Sequence, residues 1–374
     1  MRRMMEYIYQ HTDWPHFVWN KGKVINLLGD ARNSQGRLLG RMESIGFDLQ
    51  SSAVLETMTL EVVKSSEIEG EILNLEMVRS SVARHLGIEI ADPVESGRNI
   101  EGIVDMMIDV TENYRTALTA ERLFSWHSSL FQDRGSKFAR ITVGTWRHDL
   151  KGPMQVVSGA IGKETVHFQA PAASLVEHDM ERFIKWFNGE DNNDQIIKSA
   201  IAHLWFITIH PFEDGNGRIA RALADLLLAR SDKSNQRFYS MSAQIRTERK
   251  EYYQILEATQ KGGLDITEWI LWYLNCLMNA MESAELVLKK VLHKAEFWRN
   301  NSDKRLNERQ RSMLNRLLEG FEGKLTTSKW SKINKCSSDT ALRDIQDLIV
   351  KGILKKDELP GGRSTNYVLK LSTI

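Results

Sequence analysis

The chain has 374 residues, with 50 Lys and Arg against 49 Asp and Glu, 42% hydrophobic and 26% charged residues; this is the balance of a soluble globular protein long enough for two or three domains. No apolar stretch approaches the ~18–20 residues that cross a bilayer, and the arginines of Met1-Arg-Arg have no apolar run behind them, so neither a membrane span nor a secretory signal is expected. Six prolines, few β-branched runs and abundant Leu, Glu, Lys, Arg and Met predict a mainly α chain, and two unpatterned cysteines, Cys276 and Cys336, fit a reducing, cytoplasmic setting.

In chain order, Trp14-Pro-His-Phe17-Val-Trp19 is too aromatic for a linker and is expected to pack on the body as a short leader. From Asn26 to about Leu86 apolar residues recur at threes and fours (Leu38, Met42, Ile45, then Leu55, Met58, Leu60, Val62, Val63), which predicts helix. Within it, in Lys64-Ser-Ser-Glu-Ile-Glu-Gly-Glu71, Ser66 and Glu69 have the spacing of a capping box and Gly70 reads as a helix end. Two more helices are expected over 100–114 and 120–131. Between Ile141 and Pro171 the pattern changes: Gly144-Thr-Trp-Arg-His, Val156-Val-Ser-Gly and Val166-His-Phe predict a hairpin. Gly162-Lys163-Glu164 is not a phosphate loop, because the glycine five before and the following Ser or Thr are missing.

An apolar helix over 196–209 leads into His210-Pro-Phe-Glu-Asp-Gly-Asn-Gly-Arg-Ile-Ala-Arg221. This segment holds a general-base candidate (His210), a metal-ligand candidate (Asp214) and a glycine-bracketed turn (Gly215-Asn216-Gly217). Arg218 and Arg221 follow three apart, on one face of a helix of strong formers. The turn therefore precedes a helix N-terminus, where free N–H groups and the helix dipole favour a phosphate. His210 and Asp214 could also serve a metal hydrolase, but no further His or Asp cluster lies nearby. Helices continue over 241–260, with Tyr252-Tyr253, and from 266 to about 300.

After the polar break Asn300-Asn-Ser-Asp303, helices are predicted over 307–319, 327–333 and 337–351, followed by a hairpin turning at Pro360-Gly-Gly. From Asp303 to the end, 15 Lys or Arg face 9 Asp or Glu. The pattern looks like a winged helix-turn-helix whose recognition helix begins at Ser337-Ser-Asp-Thr340-Ala-Leu-Arg343, with Arg363 on the wing. DNA and a protein partner, including a second copy in a homodimer, are both open for it.

The 210–221 segment resembles the Fic signature HPFx[DE]GNGRxxR at every specified position. The resemblance covers most of residues 50–290 and implies a Fic-type helical bundle with a small β-hairpin flap. The expected organisation is an N-terminal extension and helical segment over 1–95, a catalytic domain over 96–300 and the winged helix-turn-helix over 304–374. It implies transfer of AMP from ATP to a Ser, Thr or Tyr hydroxyl of a target protein or of the chain itself. His210 is then the base, Asp214 a Mg2+ ligand, and Gly215, Asn216 and Gly217 the phosphate cradle. Arg218 and Arg221 meet the β- and γ-phosphates, and Tyr252-Tyr253 close the adenine side. Ser65, Glu69 and Gly70 match the family's inhibitory pattern Ser/Thr-x-x-x-Glu-Gly/Asn, in which Glu69 would pair with Arg221 and hold it off the γ-phosphate. Removal of AMP, transfer of another nucleotide or phosphate group, and a DNA-binding regulator with a secondary Fic domain are the alternatives.

Overall fold

A computed structural model describes residues 7–90, 92–131, 141–149, 152–159, 162–190, 193–321, 323–357 and 365–370. The chain divides into two compact units, Met1–Val287 and Leu288–Ile374.

The first unit opens with α1 (Lys21–Glu43), α2 (Phe47–Ile68) and α3 (Leu75–His85), followed by α4 (Arg98–Glu112) and α5 (Ala120–Leu130). A hairpin of β1 (Gln155–Ser158) and β2 (Thr165–Gln169) precedes α6 (Ala173–Asn188), α7 (Gln195–Ile209), α8 (Asn216–Asp232), α9 (Met241–Thr247) and α10 (Arg249–Gln260); α11 (Thr267–Asn300) starts in this unit and ends in the second. The single helical pattern expected over 26–86 is three helices. It breaks at Gly46, and again after Glu69, where Gly70 turns left-handed at φ 87°.

Helix starts follow local chemistry. Asn20, Asn74, Thr119 and Asp194 each accept a backbone N–H at the head of α1, α3, α5 and α7. Every residue of α7 from Ile196 to Ile209 is buried, as is most of α8, and the two pack together as the centre of the unit. On α2, the buried Glu61 accepts from Ser240 Oγ (2.6 Å) and Ser242 N (3.0 Å), which satisfies a carboxylate that burial would otherwise penalise and fixes α2 to the start of α9. The aromatic leader packs as expected: Trp14 and Phe17 each meet Trp205 edge-on, at 6.2 and 6.0 Å.

The hairpin is shorter than expected. Its strands pair antiparallel with a register shift between Val156 and Val157, whereas Gly144-Thr-Trp-Arg-His forms no strand. Arg147 there donates its backbone N–H and its Nε to the carbonyls of the 210–211 turn rather than to a neighbouring strand.

In the second unit, α12 (Glu308–Gly320), α13 (Thr327–Ile333) and α14 (Ser338–Val350) surround Trp330, Leu314, Ile345 and Leu348, all fully buried. β3 (Leu354–Lys356) pairs antiparallel with β4 (Tyr367–Leu369) beside them. The expected turn at Pro360-Gly-Gly, Arg363, and the N-terminal Met1-Arg-Arg lie outside the described residues. Among the described residues no helix is long and apolar enough to cross a membrane.

Candidate active site

The site is built where α7 stops. His210 follows Ile209 in the left-handed region (φ 54°, ψ 56°), and Pro211, which has no N–H, cannot extend the helix. Phe212 is fully buried and stacks on His127 with ring centroids 4.1 Å apart, which anchors the loop in the core. Asn216 closes the loop: its Oδ1 accepts from Phe212 N (3.0 Å) and its Nδ2 donates to Phe212 O (2.8 Å). These bonds hold the turn and use one of the two Nδ2 hydrogens, and Asn216 also lines the cavity described below. Gly215 has φ 84°, and a Cβ there would meet the Phe131 ring at 3.1 Å, so the position requires glycine. α8 begins at once, and its first N–H groups have no partner within the helix.

Loop, hairpin and α10 enclose a cavity of about 870 Å³, lined by His210, Asp214, Gly215, Asn216 and Gly217, by Glu69, and by Tyr252 and Tyr253. A second cavity of about 430 Å³, beside Lys198 and Arg230, contains no motif residue. The larger one is the size of a nucleotide-type ligand site.

Burial pushes the His210 pKa down to about 4. The Arg147 charge adds to this, while the Ile207 carbonyl, Glu69 and Asp214 oppose it. The imidazole is therefore neutral near pH 7. Its Nδ1 lies 3.3 Å from Ile207 O, which can only accept, so Nδ1 carries the hydrogen and Nε2 offers a lone pair. Asp214 lines the cavity and accepts from Gly215 N at 2.6 Å. Among the described residues no group of three or more His, Cys, Asp or Glu is placed to hold a metal.

The two arginines differ in setting. Arg221 donates from Nε to Ser65 Oγ (3.1 Å), and from one terminal nitrogen to Ser65 O (3.0 Å) and Glu69 Oε1 (2.8 Å). Burial works against its charge, but Glu69 and the two tyrosines outweigh it, and its pKa is raised. Arg218 pairs with Glu71 at 3.2 Å and lies over the Phe131 ring; burial lowers its pKa despite Asp214, Glu71 and Glu69.

Ser65 and Glu69 reach one guanidinium because they stand four apart, Ser65 in the last turn of α2 and Glu69 at its C-cap. The capping-box reading of Ser66 and Glu69 is corrected: α2 ends here. Gly70 N donates to Glu67 O and Glu71 N to Ser66 O, which is a Schellman stop around the left-handed Gly70. Glu69 thus caps a C-terminus, and Ser66 is buried. On α10, Tyr252 is buried with its hydroxyl 3.0 Å from His203 Nε2, and Tyr253 donates to Ile68 O at 3.4 Å.

Three groups escaped the sequence reading. Arg147 binds the carbonyls of His210 and Pro211. His127 accepts from Gly144 N (3.0 Å), and its Nε2 meets Asp214 O (3.1 Å). Glu213 takes both polar groups of Thr142. Only Glu213 lay inside the motif, at its unspecified position.

Residues 117–228 match the Fic/DOC family. The chain carries a Fic domain. Residues 7–88, which span α1, α2 and α3, match a second family, described as a domain of unknown function (DUF4172). The chain is 25% identical over 239 residues to a protein adenylyltransferase Fic of Drosophila grimshawi, covering 62% of this chain and 38% of that one. It is 28% identical over 211 residues to a protein adenylyltransferase of Caenorhabditis briggsae, covering 56% and 38%. The match thus spans about two fifths of the length of these relatives. A Fic family protein from Desulfovibrio desulfuricans G20 shares the fold, with a TM-score of 0.55 at 18% identity over 96% of this chain and 98% of that one.

Proposed function

We propose that the Fic domain transfers AMP from ATP to a hydroxyl of a protein, its own or a target's, and that Glu69 restrains it. The observation that carries this reading is the Arg221–Glu69 pair: Arg221 is buried in the second turn of α8, and Glu69, which it holds, lines the cavity that also holds His210. Arg221 gives a carboxylate the seat in which it would otherwise meet a phosphate. The names of the relatives point the same way: both are called adenylyltransferases.

In this reading the polyphosphate lies along the first N–H groups of α8, with Arg218 on the β-phosphate and Arg221 on the γ-phosphate. His210 Nε2 takes the proton of the acceptor hydroxyl. The hydroxyl oxygen bonds to the α-phosphorus as the bond to the β-bridging oxygen breaks, and pyrophosphate leaves with the charge that the arginines stabilise. The carboxylate of Asp214 fits Mg2+: this cation takes one or two carboxylates and completes its shell with water and phosphate oxygens, so a single acidic ligand suffices. When bound, it would offset charge on the phosphates. Tyr252 and Tyr253 would flank the base.

The test is intact-mass spectrometry after incubation with ATP and Mg2+. Glu69→Gly should acquire AMP, or label a lysate, well above wild type. Glu69→Gly combined with Arg221→Ala should fall back, and Glu69→Gly combined with His210→Ala should lose transfer by at least the ~10²-fold typical of a positioned base. An unchanged or lower rate in Glu69→Gly would make Glu69 a participant in AMP removal or a plain helix end, and the restraint would not exist. The second unit we propose to be a winged helix-turn-helix contacting protein or DNA, which its basic surplus supports.

A further inference from the structure

His210 has a backbone conformation that a residue with a Cβ adopts only when its surroundings impose it. What imposes it here comes from a distant loop. Arg147 is 2% exposed, and its N–H donates to Pro211 O at 2.9 Å while its Nε donates to His210 O at 2.7 Å. The rest of the guanidinium bonds Asp149 Oδ1 at 2.7 Å and the Pro171 carbonyl. Asp149 in turn accepts from Ala173 N, at the head of α6, at 2.6 Å. Both carbonyls of the left-handed turn are thus held by one residue, which is anchored on either side of the β1–β2 hairpin.

We propose that Arg147 is the positioning residue for His210: it locks the turn through the two carbonyls, so that the imidazole meets the acceptor hydroxyl in one orientation. This rests on His210 being the base of the reaction proposed above. Only an arginine suits the place. Its planar fork sends separate N–H groups to three acceptors in different directions, which the single ammonium of lysine cannot span. Burial requires each of these N–H groups to find an acceptor, and the acceptor that Nε finds is the carbonyl of His210 itself. The guanidinium also bears on the imidazole electrostatically. Its charge disfavours a proton on His210, as burial does, against the opposing charges of Glu69 and Asp214.

The test places Arg147→Lys and Arg147→Met in a Glu69→Gly background. Transfer should lose kcat by about 10²-fold, the scale of an ångström-sized misplacement, while KM for ATP stays within about threefold because the phosphate cradle is untouched. In histidine-labelled protein, with the His210 signal assigned by its loss in His210→Ala, Arg147→Met should move the imidazole titration to higher pH, and this needs no turnover. Unchanged kcat with an unmoved titration overturns the proposal. So does loss of cooperative unfolding in both variants, which would make Arg147 a folding residue only. If Glu69→Gly transfers no AMP but the His210 titration shifts as stated, the adenylyl-transfer reading fails and the hold of Arg147 on His210 stands.

Discussion

The carboxylate of Glu69 fills the space that a side chain at Gly217 would need: a Cβ there would lie 2.2 Å from Glu69 Oε1 and 3.3 Å from a terminal nitrogen of Arg221. The missing side chain of Gly217 is what lets an anion reach both the first turn of α8 and Arg221.

Gly217→Ala should therefore harm transfer even after the glutamate is gone, because the methyl group stands where the phosphate would sit. Compared in intact-mass assays, Glu69→Gly with Gly217→Ala should transfer at least about tenfold less than Glu69→Gly alone, a loss of about 1.4 kcal/mol. Alanine suits a helix better than glycine, so thermal stability should not fall. Equal rates would mean that the phosphates pass elsewhere.

Three histidines set a pH dependence. Desolvation pushes the pKa of the cavity-lining His210 and of the buried His127 down to about 4, and that of the buried His203 down to about 3. An unfolded chain binds these protons near pH ~6.5. Between there and about pH 4 the unfolded state carries more protons, so the stability from the neutral rings is whole above ~6.5 and is lost as pH falls. His210→Gln should make the decline of Tm over that window shallower than in wild type. In the Glu69→Gly enzyme, the acid limb of kcat/KM should lie nearer 4 than 6.5. A limb at 6.5 would mean that His210 is solvated and that its burial does not control its proton.

Where the chain is cut should matter. Phe297 is nearly buried among the second unit's own core residues, and Trp298 packs on that cluster with its indole nitrogen 3.1 Å from Asn315 Oδ1. A chain ending at Val287 should stay monodisperse in size-exclusion chromatography and retain the AMP transfer of the full chain. One ending at Asp303 keeps these rings without their cover and should aggregate more. The reverse order would show that the end of α11 belongs with the catalytic unit.

The 210–221 loop was legible because its features are contiguous: a histidine, a turn, a helix start and two arginines follow one another, and the apolar run of α7 announces where they begin. The helices of the second unit were legible for a similar reason, since Asn307, Thr326 and Ser337 cap their own N-termini and mark the starts. The hidden parts depend on the direction or distance of contacts. Ser66 and Glu69 have the same spacing whether a helix starts or ends there, and only the left-handed Gly70 decides. Arg147 lies 63 residues from His210. Nothing local to Gly144-Thr-Trp-Arg-His says that its arginine will be buried on another loop's carbonyls. The turn-closing bonds of the Asn216 amide were not legible, because a turn-closing asparagine and a ligand-facing one have the same neighbours in sequence.

If the Arg221 guanidinium is shared between Glu69 and an incoming phosphate, as proposed, two measurements become reciprocal. The factor by which α2 weakens nucleotide binding is the factor by which nucleotide must loosen the end of α2. That end is held from α10 as well, where Arg249 Nε and the Tyr253 hydroxyl both donate to Ile68 O. Hydrogen exchange at Glu69, Gly70 and Glu71, titrated with nucleotide, would thus report the strength of the restraint with no substrate protein in hand.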